Sequence, residues 1–360
     1  MTPFALAVPA ILAGTLVALM STAAQAQATR TWVSGVGDDV NPCSRTAPCK
    51  TFAGAISKTA VNGEINCLDP GGFGTLNITK SITVDCSEVF GSALNATTTA
   101  FIVSFDSFGA DVRKSVRIRG INMQGADSGT GGVRITGGAT VTGGSVVVEN
   151  CLIDGNFGGN ARGISDERQG AGELYVLNTT VRNNGGIGIA VIPSAGTSTV
   201  FATLNNVRSV NNGNNGASFL SSSQGLIRES VFSGNGNAGM SVEGAADVTI
   251  INSASVKNAN HGLFTTATAR VANSTLGYSS TQVTGAWTSF GNNQVIGNPG
   301  NAPTGAGPAS TARRDHGWRD ARQRNGADRR PCGADRTPRV DHPAHQHRRG
   351  RDSAAHRHGG

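Results

Sequence analysis

The sequence is poor in aromatic residues and in proline. Aromatic residues make up 5% of its 360 residues, and proline occurs 12 times. So few rings exclude a broad core built on large side chains, and so few prolines exclude a proline-rich linker. Glycine occurs 50 times, but without the three-residue period of collagen. The composition therefore predicts a narrow core of small apolar side chains, with many tight turns between short strands.

The sequence also has no net charge outside its C-terminal tail. The chain carries a formal charge of +7, and 13 arginines and 6 aspartates from residue 313 onward account for all of it. The residues before them hold 17 basic and 17 acidic side chains. A neutral body is not attracted to nucleic acid or to an anionic membrane. We therefore expect no nucleic-acid partner for the folded domain.

No apolar run after residue 20 approaches the roughly 20 residues that cross a bilayer. The earlier run from Phe4 to Met20 is interrupted by Pro9 and Gly14, and it precedes Ala24-Gln25-Ala26. This is the pattern of a signal peptide with an A-x-A cleavage site, although no Lys or Arg precedes it. We predict a signal peptide over residues 1–26 and export to the periplasm, cell surface or medium. No transmembrane anchor should remain after cleavage.

The cysteine spacing agrees with export. Cys43 and Cys49 lie six residues apart in a polar loop, and Cys67 and Cys86 lie 19 residues apart, about one short solenoid coil. We expect each pair to form a disulfide, because exported proteins use cysteine in this way. Neither spacing resembles the C-x-x-C pair of a zinc site. Cys151 has no partner in the body and is interpreted as a small buried residue.

A repeat runs from about residue 116 to residue 298. Each unit has an apolar strand, a polar anchor residue, a short apolar pair and a second polar turn. Successive anchors are 28, 28, 23, 23 and 21 residues apart: Asn150, Asn178, Asn206, Glu229, Asn252 and Asn273. Six residues after most anchors comes another asparagine: Asn156, Asn184, Asn212, Asn235 and Asn258. A glycine then precedes a further β-rich stretch: Gly163, Gly188, Gly216, Gly239 and Gly262.

Three short strands per period, separated by turns that tolerate left-handed backbone, predict a triangular coil that rises one strand spacing per repeat. Leucine-rich repeats have similar periods but need leucine at fixed positions. Asparagines at equivalent turns can hydrogen-bond to the coils above and below. We therefore interpret the asparagines as scaffold rather than as a functional site.

Four N-terminal segments resemble the start of secreted bacterial right-handed β-helix-repeat proteins of the pectin-lyase-like superfamily: residues 30–35, 41–43, 47–56 and 68–74. The resemblance implies an all-β chain, a right-handed parallel β-helix that forms a single-stranded solenoid with three short strands per coil. It also implies a short N-terminal cap helix at Lys50–Ile56, which would cover the open apolar end. The domain would span residues 29–298, with the cap region at 29–66 and the clearest repeats at 116–298. This superfamily includes lyases, hydrolases, adhesins and tailspikes, so the resemblance specifies no activity.

A hydrolase site would need paired carboxylates on neighbouring coils. The sequence Asn260-His261-Gly262 comes nearest to a hydrolase motif, but His261 occupies a variable turn position and is interpreted as an ordinary turn residue. A lyase site would need carboxylates for Ca²⁺ and a basic side chain to take a proton. The catalytic candidates for such a site are Asp154, Asp166, Glu167 and Arg182.

Asp154 and Arg182 occupy the same repeat position in successive coils, so we expect them to stack. The long coils here carry about five residues more than the later ones, and this excess should bulge from the solenoid wall. The candidates for ligand binding in this region are Arg162, Arg168, Glu173 and Tyr175. We favour solvated surface ion pairs over catalysis, because loops gather charge without any catalytic purpose.

Residues 299–360 form a tail rich in Arg and His, with 6 of the 7 histidines. So few apolar residues cannot build a core, which predicts disorder. Its composition, with no Lys or Glu after residue 313, favours translation of a GC-rich stretch in a shifted frame.

The sequence as a whole favours an exported, non-catalytic module that binds a polysaccharide or a cell-envelope partner through the solenoid wall. It implies no cofactor and no metal. The alternative is a polysaccharide lyase or hydrolase with a diverged site, and the lyase would require Ca²⁺.

We expect expression in an exporting bacterial host to yield a protein that starts at Gln27, because signal peptidase cleaves after the A-x-A motif. Intact-mass measurement with N-terminal sequencing checks this. An uncleaved chain in the cytoplasmic fraction would contradict the prediction, and Ala24→Arg/Ala26→Arg, which removes the small residues of the motif, serves as the uncleavable control.

Overall fold

The computed structural model describes residues 27–194, 199–297 and 300. The predicted signal peptide and the tail beyond residue 300 lie outside the described residues. Within them, strands alternate with turns from Ala28 to Ile296. One seven-residue helix, α1 (Phe52–Lys58), and a short 3₁₀ helix (Phe105–Phe108) interrupt the strands. No helix in this part of the chain has the length and apolar character needed to span a membrane.

The strands form three parallel sheets. Sheet A contains β1 (Ala28–Val33), β2 (Thr59–Cys67), β5 (Ile82–Asp85), β8 (Ser115–Arg119), β11 (Gly144–Glu149), β14 (Gly172–Leu177), β17 (Val200–Asn205), β20 (Ser223–Arg228), β23 (Asp247–Ile251), β26 (Thr268–Ala272) and β29 (Thr288–Ser289). Sheet B contains β3 (Gly71–Gly72), β6 (Gly91–Leu94), β9 (Ile121–Gln124), β12 (Leu152–Asp154), β15 (Thr180–Arg182), β18 (Arg208–Val210), β21 (Val231–Ser233), β24 (Ala254–Val256), β27 (Thr275–Gly277) and β30 (Gln294–Ile296). Sheet C contains β4 (Leu76–Ile78), β7 (Thr99–Ser104), β10 (Gly131–Thr136), β13 (Arg162–Asp166), β16 (Ile189–Val191), β19 (Ala217–Phe219), β22 (Ala238–Val242), β25 (His261–Thr265) and β28 (Thr281–Thr284).

The chain visits sheets A, B and C in turn, and each strand pairs with the equivalent strand one coil later. This is the predicted parallel β-helix with three strands per coil, and it is confirmed. Side chains alternate between the interior and the surface because successive residues of a strand point to opposite faces. The interior therefore holds columns of stacked apolar residues, such as Val146, Leu174 and Ala202 in sheet A.

The anchor residues form the turn between sheet A and sheet B. They adopt left-handed backbone with φ between 47° and 54°: Asn150, Asn178, Asn206, Glu229, Asn252 and Asn273. Asparagine tolerates this conformation better than most residues, which explains its recurrence there. The predicted scaffold role of the anchors is consistent with this geometry.

The second asparagine series forms a buried ladder along the solenoid. Each amide Nδ2 donates to the Oδ1 of the next asparagine, at 2.8 Å from Asn156 to Asn184 and 2.9 Å from Asn184 to Asn212. The ladder continues at 3.1 Å to Asn235 and at 2.9 Å from there to Asn258. Each Oδ1 also accepts the backbone N–H of the preceding asparagine. The side chains thus satisfy buried turn groups that no strand ladder reaches.

The recurrent glycines at or just before the start of the sheet C strands serve a different purpose from the anchors, because none of them needs left-handed backbone. A Cβ on Gly188 would overlap the hydroxyl of Ser209, and a Cβ on Gly239 would overlap that of Ser255. Glycine is present here because the corner of the coil lies against the core.

Cys151 is buried, as predicted, and stands where most later coils have Ser or Thr. Its Sγ lies 3.2 Å from the carbonyl oxygen of Glu149. The hydroxyls of Thr179 and Ser253 each donate over 2.8 Å to the carbonyl two residues earlier. Burial raises the pKa of the Cys151 thiol to about 12, so it stays protonated and inert at neutral pH.

The N-terminal end of the solenoid is closed by two devices. Helix α1 places Phe52 against Phe73 and Phe101, with ring centroids 5.4 and 5.7 Å apart, which confirms the predicted cap helix. The loop closed by the Cys43–Cys49 disulfide covers the outer edge of β1, where Trp32 N–H donates to the carbonyl of Cys43 over 2.9 Å. An edge strand covered in this way cannot pair with another chain.

The second predicted disulfide, Cys67–Cys86, is also present. It joins the end of β2 to the end of β5, one coil later. Both disulfides therefore lie at the N-terminal end of the solenoid.

We expect Asn212→Ala to lower the free energy of unfolding by about 2–4 kcal/mol, because it leaves two buried donors of Asn184 without an acceptor. Urea denaturation followed by circular dichroism measures this. Asn260→Ala is the matched control, since Asn260 makes the same kind of amide bond to Asn237 on the exposed surface. The control should change stability by less than about 0.5 kcal/mol. Equal effects of the two substitutions would contradict the role assigned to the buried ladder.

Candidate functional site

The outer face of sheet C carries a cluster of three charged side chains, in the part of the solenoid where the coils are longer. Arg134 lies on β10, Arg162 begins β13 and Glu167 directly follows β13. Arg162 Nη1 lies 2.7 Å from Glu167 Oε1, and Arg134 Nη2 lies 2.9 Å from Glu167 Oε2. We call these three residues the arginine–glutamate triad. One carboxylate neutralises one of the two guanidinium groups, so the triad is left with a net positive charge.

Two neighbouring depressions share the triad as a common wall. The smaller has a volume of about 200 Å³, and its other walls include Thr99, Asn160 and Ser165. The larger has a volume of about 500 Å³, and its other walls include Asp106, Gln169 and Ser194. Their linings are rich in hydroxyl, amide and charged groups, which can bond to a hydroxylated ligand.

The triad is suited to anion recognition. The side chain of Arg134 is 52% exposed and that of Arg162 is 28% exposed, so both can be reached from solvent. Arginine has five N–H donors in a rigid plane, and Glu167 occupies only some of them. The remaining donors match the geometry of a carboxylate, phosphate or sulfate group.

The pair Asp154–Arg182 lies on sheet B, away from the triad. The two residues are in register on β12 and β15, and Arg182 Nη2 lies 2.8 Å from Asp154 Oδ2. The predicted stacking of these residues is therefore confirmed. Asn183 Nδ2 also donates to Asp154 Oδ1 over 2.9 Å. The carboxylate is thus held by two neighbours on an open face of the solenoid.

Asp166 and Arg168 form an ion pair inside the solenoid. Asp166 is fully buried and the side chain of Arg168 is 2% exposed. Arg168 Nε and Nη2 donate to the two oxygens of Asp166 over 2.8 and 2.7 Å. Neither side chain faces either depression, so in this geometry neither can contact a ligand on the wall.

Glu173 and Tyr175 lie on the outer face of sheet A. The Tyr175 hydroxyl donates to Glu173 Oε2 over 3.1 Å. Partial burial and the neighbouring carboxylate of Glu173 raise the pKa of Tyr175. The four predicted binding residues are therefore divided among sheet C, the interior and sheet A, and the four catalytic candidates among sheet B, the interior and sheet C.

His261 opens β25 on sheet C and is not a loop residue. Its Nδ1 lies 3.0 Å from the hydroxyl oxygen of Thr284, and burial lowers the pKa of its imidazole. Within residues 27–194, 199–297 and 300, no three His, Cys, Asp or Glu side chains lie close enough together to hold a metal ion.

Two residues of the site escaped the sequence interpretation, namely Arg134 and Asp106. Arg134 pairs in the register of sheet C with Ser165 and not with Arg162, so the repeat spacing did not mark it. Asp106 lies in the 3₁₀ helix that follows β7, outside the repeat. Nothing in the sequence pattern pointed to it.

The β-helix resembles known proteins in sequence and in structure. A family model described as a right-handed β-helix region matches residues 162–307. The solved structure of pectate lyase Pel9A aligns with a TM-score of 0.56 and 16% sequence identity, covering 80% of this chain and 82% of that one. No curated protein sequence matches significantly.

Two looser structural matches have scores too low to support an argument. The A-module of mannuronan C-5 epimerase AlgE6 from Azotobacter vinelandii has a TM-score of 0.41 at 14% identity, covering 68% of this chain and 88% of that one. A rhamnogalacturonan lyase has a TM-score of 0.38 at 13% identity, covering 74% of each chain.

The three stacked parallel sheets and the family-model match define a right-handed parallel β-helix protein. More particularly, its fold is similar to that of pectate lyase Pel9A.

Proposed function

We propose that the outer face of sheet C binds an acidic polysaccharide without cleaving it. The observation that carries the proposal is the arginine–glutamate triad, which presents two solvent-accessible guanidinium groups on neighbouring coils beside two polar depressions. Arg134 and Arg162 lie on neighbouring strands but three residues apart in register, since Arg162 pairs with Gly131 and Arg134 pairs with Ser165. The two guanidinium groups are therefore displaced along the strands as well as from one coil to the next. A polymer that crosses the strands obliquely would meet them with successive acidic groups.

The proposal that the site does not cleave its ligand rests on how the charged groups are arranged. Asp154 and Arg182 lie on sheet B and Asp166 lies in the interior, so only Glu167 of the predicted catalytic residues faces the depressions. Both oxygens of Glu167 accept hydrogen bonds from arginine, so the carboxylate is already occupied by partners within the protein. Since no metal-binding cluster occurs in the described part of the chain, the proposal uses no calcium.

Export from the cytoplasm belongs to the same proposal. Two disulfides join cysteines at the N-terminal end of the solenoid. Disulfides persist in oxidising compartments and are rare in the cytosol. An exported protein would meet polysaccharides of its own envelope or of its surroundings.

A polysaccharide lyase or hydrolase is the second candidate. Its support is the structural likeness to a pectate lyase over most of both chains, together with the presence of Asp106 and Glu167 in the same depression. Two carboxylates across a cleft are the usual requirement for glycoside hydrolysis.

We expect the full chain to bind polygalacturonate or alginate, and Arg134→Ala and Arg162→Ala each to weaken this binding about tenfold or more. A hydrogen bond between charged groups contributes about 1.5–3 kcal/mol, and a factor of ten is 1.4 kcal/mol. Isothermal titration calorimetry at low and high salt measures the affinity, which should fall as salt rises.

Arg182→Ala is the matched control, because it removes a surface arginine with an aspartate partner from sheet B, and its affinity should equal that of the unaltered protein. Undiminished binding by both sheet C variants, or equal binding of neutral dextran, would overturn the proposal.

Product formation separates the two candidates. We expect no new reducing ends and no unsaturated ends when the full chain is incubated with the same polymers, with or without added Ca²⁺. Cleavage that is abolished by Glu167→Gln and retained in Asp154→Asn would replace the binding proposal with the enzymatic one.

A further inference from the structure

The buried pair Asp166–Arg168 interrupts an otherwise mostly apolar column of the core. In the register of sheet C, Asp166 stacks between Ile135 and Val191. The same column continues with Phe219 and Val242 in the later coils. The fold therefore accepts apolar residues at this position, and nothing in the repeat requires a carboxylate there.

Arg168 occupies a space that is built for it. Its Nη1 donates to the carbonyl of Gly144 over 2.5 Å, and its guanidinium carbon lies 5.0 Å from the ring centroid of Phe105. A Cβ on Gly172 would overlap Arg168 Nη1. The register partner of Gly172 on sheet A, Gly144, in turn leaves room for the Phe105 ring over which the guanidinium lies.

A buried ion pair of this kind is not an efficient way to stabilise a core. The loss of hydration of both charges offsets most of their attraction, and well-packed apolar replacements are often as stable or more stable. The pair must therefore be explained by something other than the stability of the solenoid.

The position of Glu167 supplies that explanation. Glu167 lies between the two buried residues, and its side chain points the opposite way, to Arg134 and Arg162. Its backbone N–H donates to the carbonyl of Ile135 over 2.9 Å, which extends the strand ladder into the corner. Asp166 and Arg168 flank Glu167, point inward and bond to each other. Because they fix the backbone on both sides of Glu167, its side chain is directed outward.

We propose that Asp166 and Arg168 are positioning residues, which hold Glu167 on the outer face of sheet C so that the two arginines of the triad are aligned for a ligand. This inference rests on the proposed function, since Glu167 belongs to the proposed binding face. Asp166, which the sequence suggested as a catalytic residue, and Arg168, which it suggested as a binding residue, thus both become positioning residues.

The test replaces the pair with apolar residues in the full chain, as Asp166→Val/Arg168→Met. We expect the melting temperature to stay the same or rise, because the later coils already carry Val or Phe in this column. The amides of Glu167 and Gln169, which donate to Ile135 and Gly137, should exchange with solvent about tenfold faster or more, since their corner has lost its anchor. The affinity for a galacturonate oligomer should fall about as far as in Arg134→Ala.

The surface pair supplies the matched control. Asp154→Asn/Arg182→Gln removes the ion pair on sheet B and should leave both amide exchange rates unchanged. A folded Asp166→Val/Arg168→Met variant with unchanged exchange at Glu167 and Gln169 would overturn the inference.

Amide exchange is measured without any ligand. If the unaltered protein binds no acidic oligomer, the proposed function fails, while exchange still decides whether the pair positions the corner. Should the apolar variant not fold, Asp166→Asn/Arg168→Gln keeps the shape of the pair without its charges and is measured in the same way. Failure of both variants to fold would show that the solenoid itself depends on the pair, and would also overturn the inference.

Discussion

The structure depends on the pairing of each coil with the next. A coil satisfies its backbone groups only when equivalent strands lie above and below it, in register, in all three sheets. The buried asparagine ladder extends this requirement to the turns, because each amide is both a donor and an acceptor between neighbouring coils. Each interior column of the solenoid therefore favours residues of similar chemistry in successive coils, either polar residues that hydrogen-bond to one another or apolar residues that pack together. Cys151 likewise lies in a column that holds Ser or Thr in most of the later coils.

Because the interior columns are restricted in this way, chemical variety is confined to the outer faces and to the corners where coil length changes. The arginine–glutamate triad occurs where the period is still 28 residues, before it shortens to 23. The extra length lies in the corners before and after β13, and the second of these carries Glu167. Arg134 and Arg162 occupy different register positions on neighbouring strands, and each reaches the Glu167 carboxylate with its long side chain.

The buried pair Asp166–Arg168 is the exception that connects the interior to the surface. Side chains in a strand alternate between the two faces, so a residue that must stay on the surface is best held by inward-pointing neighbours on both sides. An apolar neighbour packs without a fixed direction, whereas a bidentate arginine–carboxylate pair has one geometry. A corner outside the repeat has no ladder of identical turns to orient it, and this pair supplies the missing constraint.

The sequence by itself determined the coil, the turn asparagines and the Cys67–Cys86 disulfide, because each of these follows from local residue type and from a spacing that matches the period. The Cys43–Cys49 disulfide followed from two close cysteines in a polar loop, and the cap helix from the resemblance of the N-terminal segments to β-helix proteins. The sequence also predicted the stacking of Asp154 on Arg182, since equal positions in successive coils must become neighbours. Only the tertiary structure decided which face each charged residue occupies. A shift of one position in a strand or corner moves a side chain from the surface to the core, and charge alone does not reveal that shift: Asp166 and Glu167 are adjacent acidic residues, yet one is buried against Arg168 and the other meets two arginines on the surface.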